Sequence, residues 1–389
     1  MTDSVPAATV SRRGEERLRR GHPWIYRSDI VSSTAAPGDI VEVLGPHTRR
    51  LGEAFWSDRS QIALRVIAWG DERFEDSGWR ARLDASIARR AALEIDATAY
   101  RLVHGESDRL PGLIVDRYGD HLVVQALTQA TDRRLPEIAG ALVELLSPAG
   151  VLARNDPKVR TLEGLERAVT VLHGEVPDRV QVREGAIAYD VDLRLGQKTG
   201  LFLDQRENRV AALAYARGRL LDGFSYQGGF ALALARRCDE VMALDASAEA
   251  VARIGENARR NGVRHVTAKE ANVFDELRYF ERDGDGFDTI VLDPPAFAKN
   301  KASVPKALSG YKDINLRALR ILRPGGVLIT CSCSYNVEEP RFLGVLTEAA
   351  ADARAHVTIL EKRMQGRDHP VLLTVPETFY LKCIMLRKH

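Results

Sequence analysis

No apolar run in the 389-residue chain approaches the about 18 residues that a membrane-spanning helix needs, so a helical membrane protein is excluded. The opening segment MTDSVPAATVSRRGEERLRR lacks the apolar core of a secretory signal, and a cytoplasmic location is expected. Cysteine is scarce: four in a chain this long do not make a disulfide scaffold. Charge of one sign is also missing. Lys and Arg number 56 against 54 Asp and Glu, a net charge of +2, so any nucleic-acid surface has to be a local patch. Repeats and low-complexity tracts are absent. What remains, 45% hydrophobic and 28% charged residues, is ordinary for a globular protein of roughly two or three domains.

The first seventy residues hold short β-like runs, DIVEVL (39–44), LGEAFW (51–56) and QIALRVI (61–67), separated by Pro37-Gly38 and Asp58. A small β-barrel-like module is expected. Arg12, Arg13, Arg17, Arg19 and Arg20 precede its first strand, followed by GHPWIYRSDI with Trp24 and Tyr26. Basic side chains beside aromatics suit phosphate contacts and base stacking; the alternative is a solvated charged segment with core aromatics. From Ser77 to Ile95, apolar residues at Leu83, Ile87, Ala91 and Leu93–Ile95 give one buried helical face. Strand-like YRLVHG, PGLIVDRYG and HLVVQAL follow, then a helical run (132–146) and strands near 150–155 and 186–193. Asp108, Asp116 and Asp120 stand beside turns and read as surface residues.

From about Gly196 strands and helices alternate, which implies a mostly parallel, doubly wound sheet. RLLDGFSYQGG is strand then tight turn, and EVMALDAS a second strand. AEAVARIGENARRNG is a helix closed by Gly262. FDTIVLDPPAF is a buried strand stopped by two prolines, and HVTILEKRMQ and TFYLKCIMLR are closing strands. Ligands of such sheets bind beyond the carboxyl ends of the strands, which selects the residues to inspect. Asp222, Gly223, Phe224, Gly228 and Gly229 follow the first strand. Their G-x₄-G-G spacing is not the dinucleotide fingerprint, which disfavours a nicotinamide oxidoreductase. Asp245, ending the second strand, can accept hydrogen bonds from ribose hydroxyls. Asn272 and Phe274 are candidates beside an adenine. Asp293 ends its strand against a rigid Pro-Pro and can bond the amino and ring-nitrogen edge of a base.

Cys331 and Cys333 end the strand VLITCSCS (327–334). Zinc sites usually use Cys-x₂₋₄-Cys with a second pair, and redox pairs use Cys-x-x-Cys, so no metal is expected. Cys238 and Cys383 are isolated in apolar contexts. Residues 331 and 333 share a strand face, and depth separates them. Cys333, further along, is the expected nucleophile and Cys331 a small apolar filler.

These stretches carry a resemblance. Residues 196–389 resemble a class I S-adenosylmethionine-dependent methyltransferase with a Rossmann-like α/β fold. The whole chain is similar to the bacterial family that makes 5-methylcytosine in large-subunit ribosomal RNA. The matching stretches include RRGHPWIYRSDI, GQKTGLFLDQRENR, FSYQGGFALALA, LDPPAFAKNK, GYKDIN, CSCS and HPVLLTVPETFYLKC. The resemblance implies an N-terminal PUA domain over 1–72, a linker helix and small central α/β domain over 73–195, and the methyltransferase over 196–389. It places Asp222, Gly223, Phe224, Gly228 and Gly229 at the methionine end of the cofactor, Asp245 on the ribose and Asn272 on the adenine, where many relatives carry Asp. KTGLFLDQRENR (198–209) resembles the segment that closes over the cofactor, making Phe202, Asp204, Gln205 and Arg206 candidates; the alternative is a capped helix start. Cys333 would add to carbon 6 of cytosine while Asp293 bonds ring nitrogen 3. Ribosomal RNA of the large subunit or its precursor is the expected partner, and a homodimer is a candidate assembly. A guanine methyltransferase and a non-catalytic ribosome assembly factor are the competing functions. The cysteines disfavour the first and the intact Asp245, Asp293 and Cys333 the second.

Overall fold

The computed structural model describes residues 6–74, 78–298 and 300–389. They form two compact units, one of Met1–Val182, Val191–Leu201 and Asp368–Thr378, the other of Arg183–Asp190, Phe202–Arg367 and Phe379–His389.

The first unit begins with β1 (Ala7–Val10), α1 (Arg12–Arg19), β2 (Trp24–Tyr26), β3 (Ile30–Ser33), β4 (Ile40–Leu44), β5 (Arg50–Trp56) and β6 (Ile62–Trp69). These strands make one sheet in the order β2-β6-β5-β4-β1-β3, with β1 parallel to β4. The arginines expected ahead of the first strand therefore follow β1, four of them on α1 and Arg20 as its C-cap. A four-residue strand of small residues is too short to show a period. Ser11 caps α1 by accepting from the Gly14 N–H. Trp24 and Tyr26 already have partners inside the unit: the Trp24 indole donates to Glu106 at 2.9 Å, and the Arg17 guanidinium lies over the Tyr26 ring.

The helix expected from Ser77 begins at Gly78 as α2 (Gly78–Ala91); Ser77 itself lies outside the described residues. Next come β7 (Ala99–His104), β8 (Leu113–Tyr118), β9 (His121–Ala126), α3 (Gln129–Arg133), α4 (Leu135–Leu146), β10 (Gly150–Asn155) and β11 (Ala168–Gly174), with the sheet order β11-β10-β9-β8-β7. Phe55 of β5 stacks on Trp79 of α2 at 5.4 Å, and both belong to one core with Leu83, Val115 and Leu142. The N-terminal sheet keeps its own core, with Val10, Ile25, Val41 and Leu64, while its Phe55 and Ile67 join the central core.

Asp108 and Asp116 are buried, contrary to the surface reading; Asp120 is exposed as expected. Arg90 donates to both Asp108 oxygens at 2.6 and 2.7 Å, and Arg101 to both Asp116 oxygens at 2.8 and 2.9 Å. The partners come from other elements, so flanking turn residues could not reveal them. Two-pronged pairing of this kind offsets the cost of removing both charges from water.

A two-stranded ribbon, β12 (Arg179–Glu184) and β13 (Ile187–Asp192), precedes the second unit's main sheet. That sheet uses α5 (Arg206–Ala212), β14 (Arg219–Gly223), α6 (Gly229–Ala235), β15 (Glu240–Asp245), α7 (Ala248–Arg260), β16 (Val266–Glu270), α8 (Val273–Asp283), β17 (Phe287–Leu292), α9 (Val304–Ile321), β18 (Leu322–Ser332), α10 (Glu339–Asp352), β19 (Val357–Arg363) and β20 (Lys382–Lys388). Strand order is β16-β15-β14-β17-β18-β20-β19. The first five are parallel, and β20 runs antiparallel to both neighbours. Helices cover both faces, so the central strands are apolar without alternation: Leu220-Leu221, Ile290–Leu292 and Val327–Ile329 are all buried. α9 buries Val304, Ala307, Tyr311, Ile314, Ala318 and Ile321, three or four residues apart, as a core-facing helix requires. Among the described residues no helix is long and apolar enough to cross a membrane.

The buried Arg90–Asp108 pair gives a stability test. Arg90→Ala leaves the Asp108 carboxylate without its main partner, and urea unfolding should show a loss of about 3–5 kcal/mol. A loss near that of an exposed pair, about 0–1 kcal/mol, would contradict this account of the pair.

Candidate active site

The register of the parallel strands assembles the site. Gly223 of β14 pairs with Leu244 of β15 on one side and Leu292 of β17 on the other, and Leu292 pairs with Thr330 of β18. One residue further along, Asp245, Phe224, Asp293 and Cys331 therefore stand level at the carboxyl ends of four neighbouring strands. Chain order reverses between β14 and β17, so this row marks the switch point of the sheet.

The turn after β14 is drawn tight by its own side chains. Phe224 (φ 67), Tyr226 (φ 52) and Gly228 (φ 86) all adopt the left-handed region, which a side chain resists. Asp222 holds the turn: one carboxylate oxygen accepts from Ser225 Oγ at 2.6 Å and from the Ala231 N–H at 2.8 Å. Asp245 accepts from the Tyr226 N–H at 2.8 Å and the Ser247 N–H at 2.9 Å, so it anchors this turn as well as its own. A Cβ at Gly223 would lie 3.1 Å from Val273 and 3.2 Å from Leu292, and one at Gly229 3.2 Å from Arg209. Phe224 packs edge-on against Phe274 and Phe297.

Asn272 is exposed and caps α8, its Oδ1 accepting from the Phe274 N–H at 2.9 Å. Of the 198–209 segment, Phe202 reaches the turn after β14 and Gln205 the end of β17. The Phe202 ring meets Tyr226 at 5.2 Å, and Gln205 Nε2 donates to Asp293 Oδ1 at 2.9 Å. Gln205 is itself held, since its Oε1 accepts from Asn208 at 2.6 Å and Asn208 accepts from Arg363 at 3.1 Å. Asp204 accepts from the Tyr380 hydroxyl at 2.7 Å, and Arg206 is buried beside Glu207. The segment is a helix start, with Leu203–Gln205 as a 3₁₀ turn leading into α5.

The two cysteines differ as depth along the strand suggests. Cys331 is fully buried, and burial pushes its thiol well above the ordinary range. It lies opposite Cys383 of β20, so Cys383 is not the isolated residue that its flanking sequence indicates; strand register brings the two together. Cys333 is one residue past the end of β18, half-buried, with Sγ 3.7 Å from the Pro294 carbonyl. Its neighbours are pinned: Ser332 Oγ donates to the Tyr311 hydroxyl at 3.0 Å, Tyr311 and Ser334 share a bond of 2.9 Å, and the Ala298 N–H donates to Ser334 Oγ at 3.1 Å. A half-buried thiol thus sits against the backbone that immediately follows a fixed carboxylate. Tyr226, Asn208, Tyr311 and Lys382 are the parts that motif reading missed. All four lie inside the stretches FSYQGG, GQKTGLFLDQRENR, GYKDIN and HPVLLTVPETFYLKC, but what each side chain touches depends on long-range contacts.

Comparison with known proteins bears on this geometry. Residues 8–69 match the family model of a PUA-like domain, and residues 113–385 that of an S-adenosylmethionine-dependent methyltransferase. The "Ribosomal RNA large subunit methyltransferase I" of Tolumonas auensis is 40% identical over 384 residues, 96% of this chain and 97% of the relative. That of Vibrio cholerae is 37% identical over 389 residues, 97% and 98% of the two chains. The chain belongs to this methyltransferase family. S-adenosylmethionine is accordingly its cofactor. A solved chain from Streptococcus mutans described as a SAM-dependent methyltransferase has the same fold, with TM-score 0.83 and 22% identity over 97% of this chain and 99% of that one.

Asp222 offers a pH test. Burial raises its carboxyl to about 7. Between the ordinary range near about 4 and that value, the folded chain keeps a proton that the unfolded chain has lost. The contribution of Asp222 to stability is therefore full at low pH and falls as pH rises through this window. Asp222→Asn should flatten that part of the melting-temperature profile of the cofactor-stripped protein; an unaltered slope would show that Asp222 ionises normally.

Proposed function

We propose that this enzyme methylates carbon 5 of a cytosine in large-subunit ribosomal RNA through a covalent adduct on Cys333. The observation that carries the reading is a half-buried cysteine at the end of β18 beside the Asp293-Pro294 turn that ends β17. In its support, the relatives named above are called large-subunit ribosomal RNA methyltransferases.

The residues present fit S-adenosylmethionine. The turn after β14 passes through the left-handed region at Gly228, at the end of the sheet where ligands of such folds bind, and the Asp245 carboxylate stands at the end of the adjoining strand. Asp222, Gly223, Phe224, Gly228 and Gly229 are assigned to the methionine end, Asp245 to the ribose and Asn272 to the adenine. Phe202, Asp204, Gln205 and Arg206 belong to the covering segment. The bound cofactor supplies an electrophilic methyl group on a sulfonium.

Carbon 5 of cytosine is a weak nucleophile until carbon 6 is attacked. The Cys333 thiolate forms the bond to carbon 6, and the displaced electron pair makes carbon 5 enamine-like. Asp293, kept in place by Gln205, bonds ring nitrogen 3 and stabilises the adduct. Once carbon 5 carries its methyl group, its proton leaves, the double bond re-forms and the thiolate is expelled. A base paired in a helix cannot reach such a pocket, so the target is unstacked. Residues 1–72 are assigned to RNA binding, 73–195 to the central domain and 196–389 to the chemistry.

RNA carrying 5-fluorocytidine tests the nucleophile, because fluorine cannot leave as a proton does. Cys331→Ala should still yield a covalent enzyme–RNA band and Cys333→Ala none. Loss of the band with Cys331→Ala and survival with Cys333→Ala would sink the assignment.

The RNA surface has its own test. Arg12 and Arg20 are exposed at α1, and replacing both with Ala should weaken RNA binding. The slope of log affinity against log salt should shrink by about 0.7–0.9 for each phosphate that the protein no longer neutralises. An unchanged slope puts the RNA-binding surface elsewhere.

A further inference from the structure

Lys382 is a long cationic side chain at 1% exposure, and no step above uses it. It opens β20 in register with Ser332 of β18, beside the end of the strand that carries Cys333. Its Nζ donates to the carbonyls of Ser334 at 2.8 Å and Tyr380 at 2.9 Å. Both acceptors are neutral and engage two of its three hydrogens without cancelling its charge. Burying an ammonium in this way is costly, and an apolar side chain of similar length would fill the same space more cheaply. Its retention calls for a use.

The charged groups around Lys382 indicate which. Burial pushes its ammonium down to about 8, while Cys333 and then Glu339 act in the opposite direction. Glu339 begins α10 and is already bonded by Lys362 of β19. On α9, Tyr311 is held neutral by burial, between Ser332 and Ser334. Beyond β17, Asp293 is engaged by Gln205, and Cys331 lies deeper with its thiol pushed up. Cys333 is the group here whose negative form the cation can favour and the chemistry requires.

We propose that Lys382 is a positioning residue for Cys333: its ammonium supplies the positive charge against which the thiol ionises, and its bonds to Ser334 and Tyr380 lock the exit of β18 so that the sulfur stays beside Pro294. This rests on Cys333 as the nucleophile. In the ionisation the S–H bond breaks, the electron pair remains on sulfur and the proton goes to water. The same charge favours the thiolate again when it is expelled from carbon 6.

The test is the rate of iodoacetamide alkylation of Cys333 in the full-length protein across about pH 6 to 10, followed by peptide mass spectrometry. The wild-type inflection should lie below the ordinary thiol value of about 8.5. Lys382→Met should raise it, slowing alkylation at pH 7 about tenfold for each unit. Lys382→Arg should restore most of the rate, which a purely structural role would not require. A wild-type inflection at or above the ordinary value overturns the proposal without any variant. So does a folded Lys382→Met protein, checked by S-adenosylmethionine titration, that keeps the wild-type inflection. Alkylation needs neither RNA nor methyl transfer. Methylation surviving Cys333→Ala would refute Cys333 as nucleophile while leaving this readout intact.

Discussion

The parallel register of β14 with its two neighbours is the constraint on which the site depends. Because Gly223 is level with both Leu244 and Leu292, the next residues on adjoining strands converge on one line. A carboxylate from β15, the turn after β14 and a carboxylate from β17 then share one edge without any single loop having to fold around a ligand. A slip of one residue would turn each of these side chains to the opposite face. Burial of Leu220-Leu221, Ile290–Leu292 and Val327–Ile329 on both faces makes such a slip costly.

Rigidity around that line is obtained from hydrogen bonds rather than bulk. Two non-glycine residues in the left-handed region cost of order 1 kcal/mol each. Bonds from Asp222 and Asp245 into the same turn offset that strain. Gln205 does for Asp293 what Tyr311 and Lys382 do for the end of β18: each is held through a neighbour that is itself bonded. Side chains placed this way keep their geometry before a ligand arrives.

The first unit applies the same logic to stability. Arg90–Asp108 and Arg101–Asp116 are two-pronged pairs, and Phe55 stacked on Trp79 ties the N-terminal sheet, which has its own core, to the central one. The arginine-bearing α1 therefore rests on a platform whose parts cannot be removed singly without opening apolar surface.

Local pattern was enough to determine a good deal. Alternating strands and helices after Gly196, the Pro-Pro stop after Asp293 and the glycine turn after Asp222 identified the doubly wound sheet and the strand ends that matter. The order of Cys331 and Cys333 along one strand separated the buried thiol from the accessible one, because distance along a strand is written in the chain. β1 went unseen because four residues are too few to show a period, and the edge strands β11 and β16 because neither buries one face in alternation. Tertiary structure alone decided the pairings across the chain. Asp108 and Asp116 became buried because arginines from α2 and β7 reach them; Cys383 came to face Cys331, and Lys382 to lie beside Cys333, because β20 enters antiparallel in one register. Side-chain neighbours in a sheet are set by which strands pair and at what offset, and that depends on how all the apolar faces are buried together.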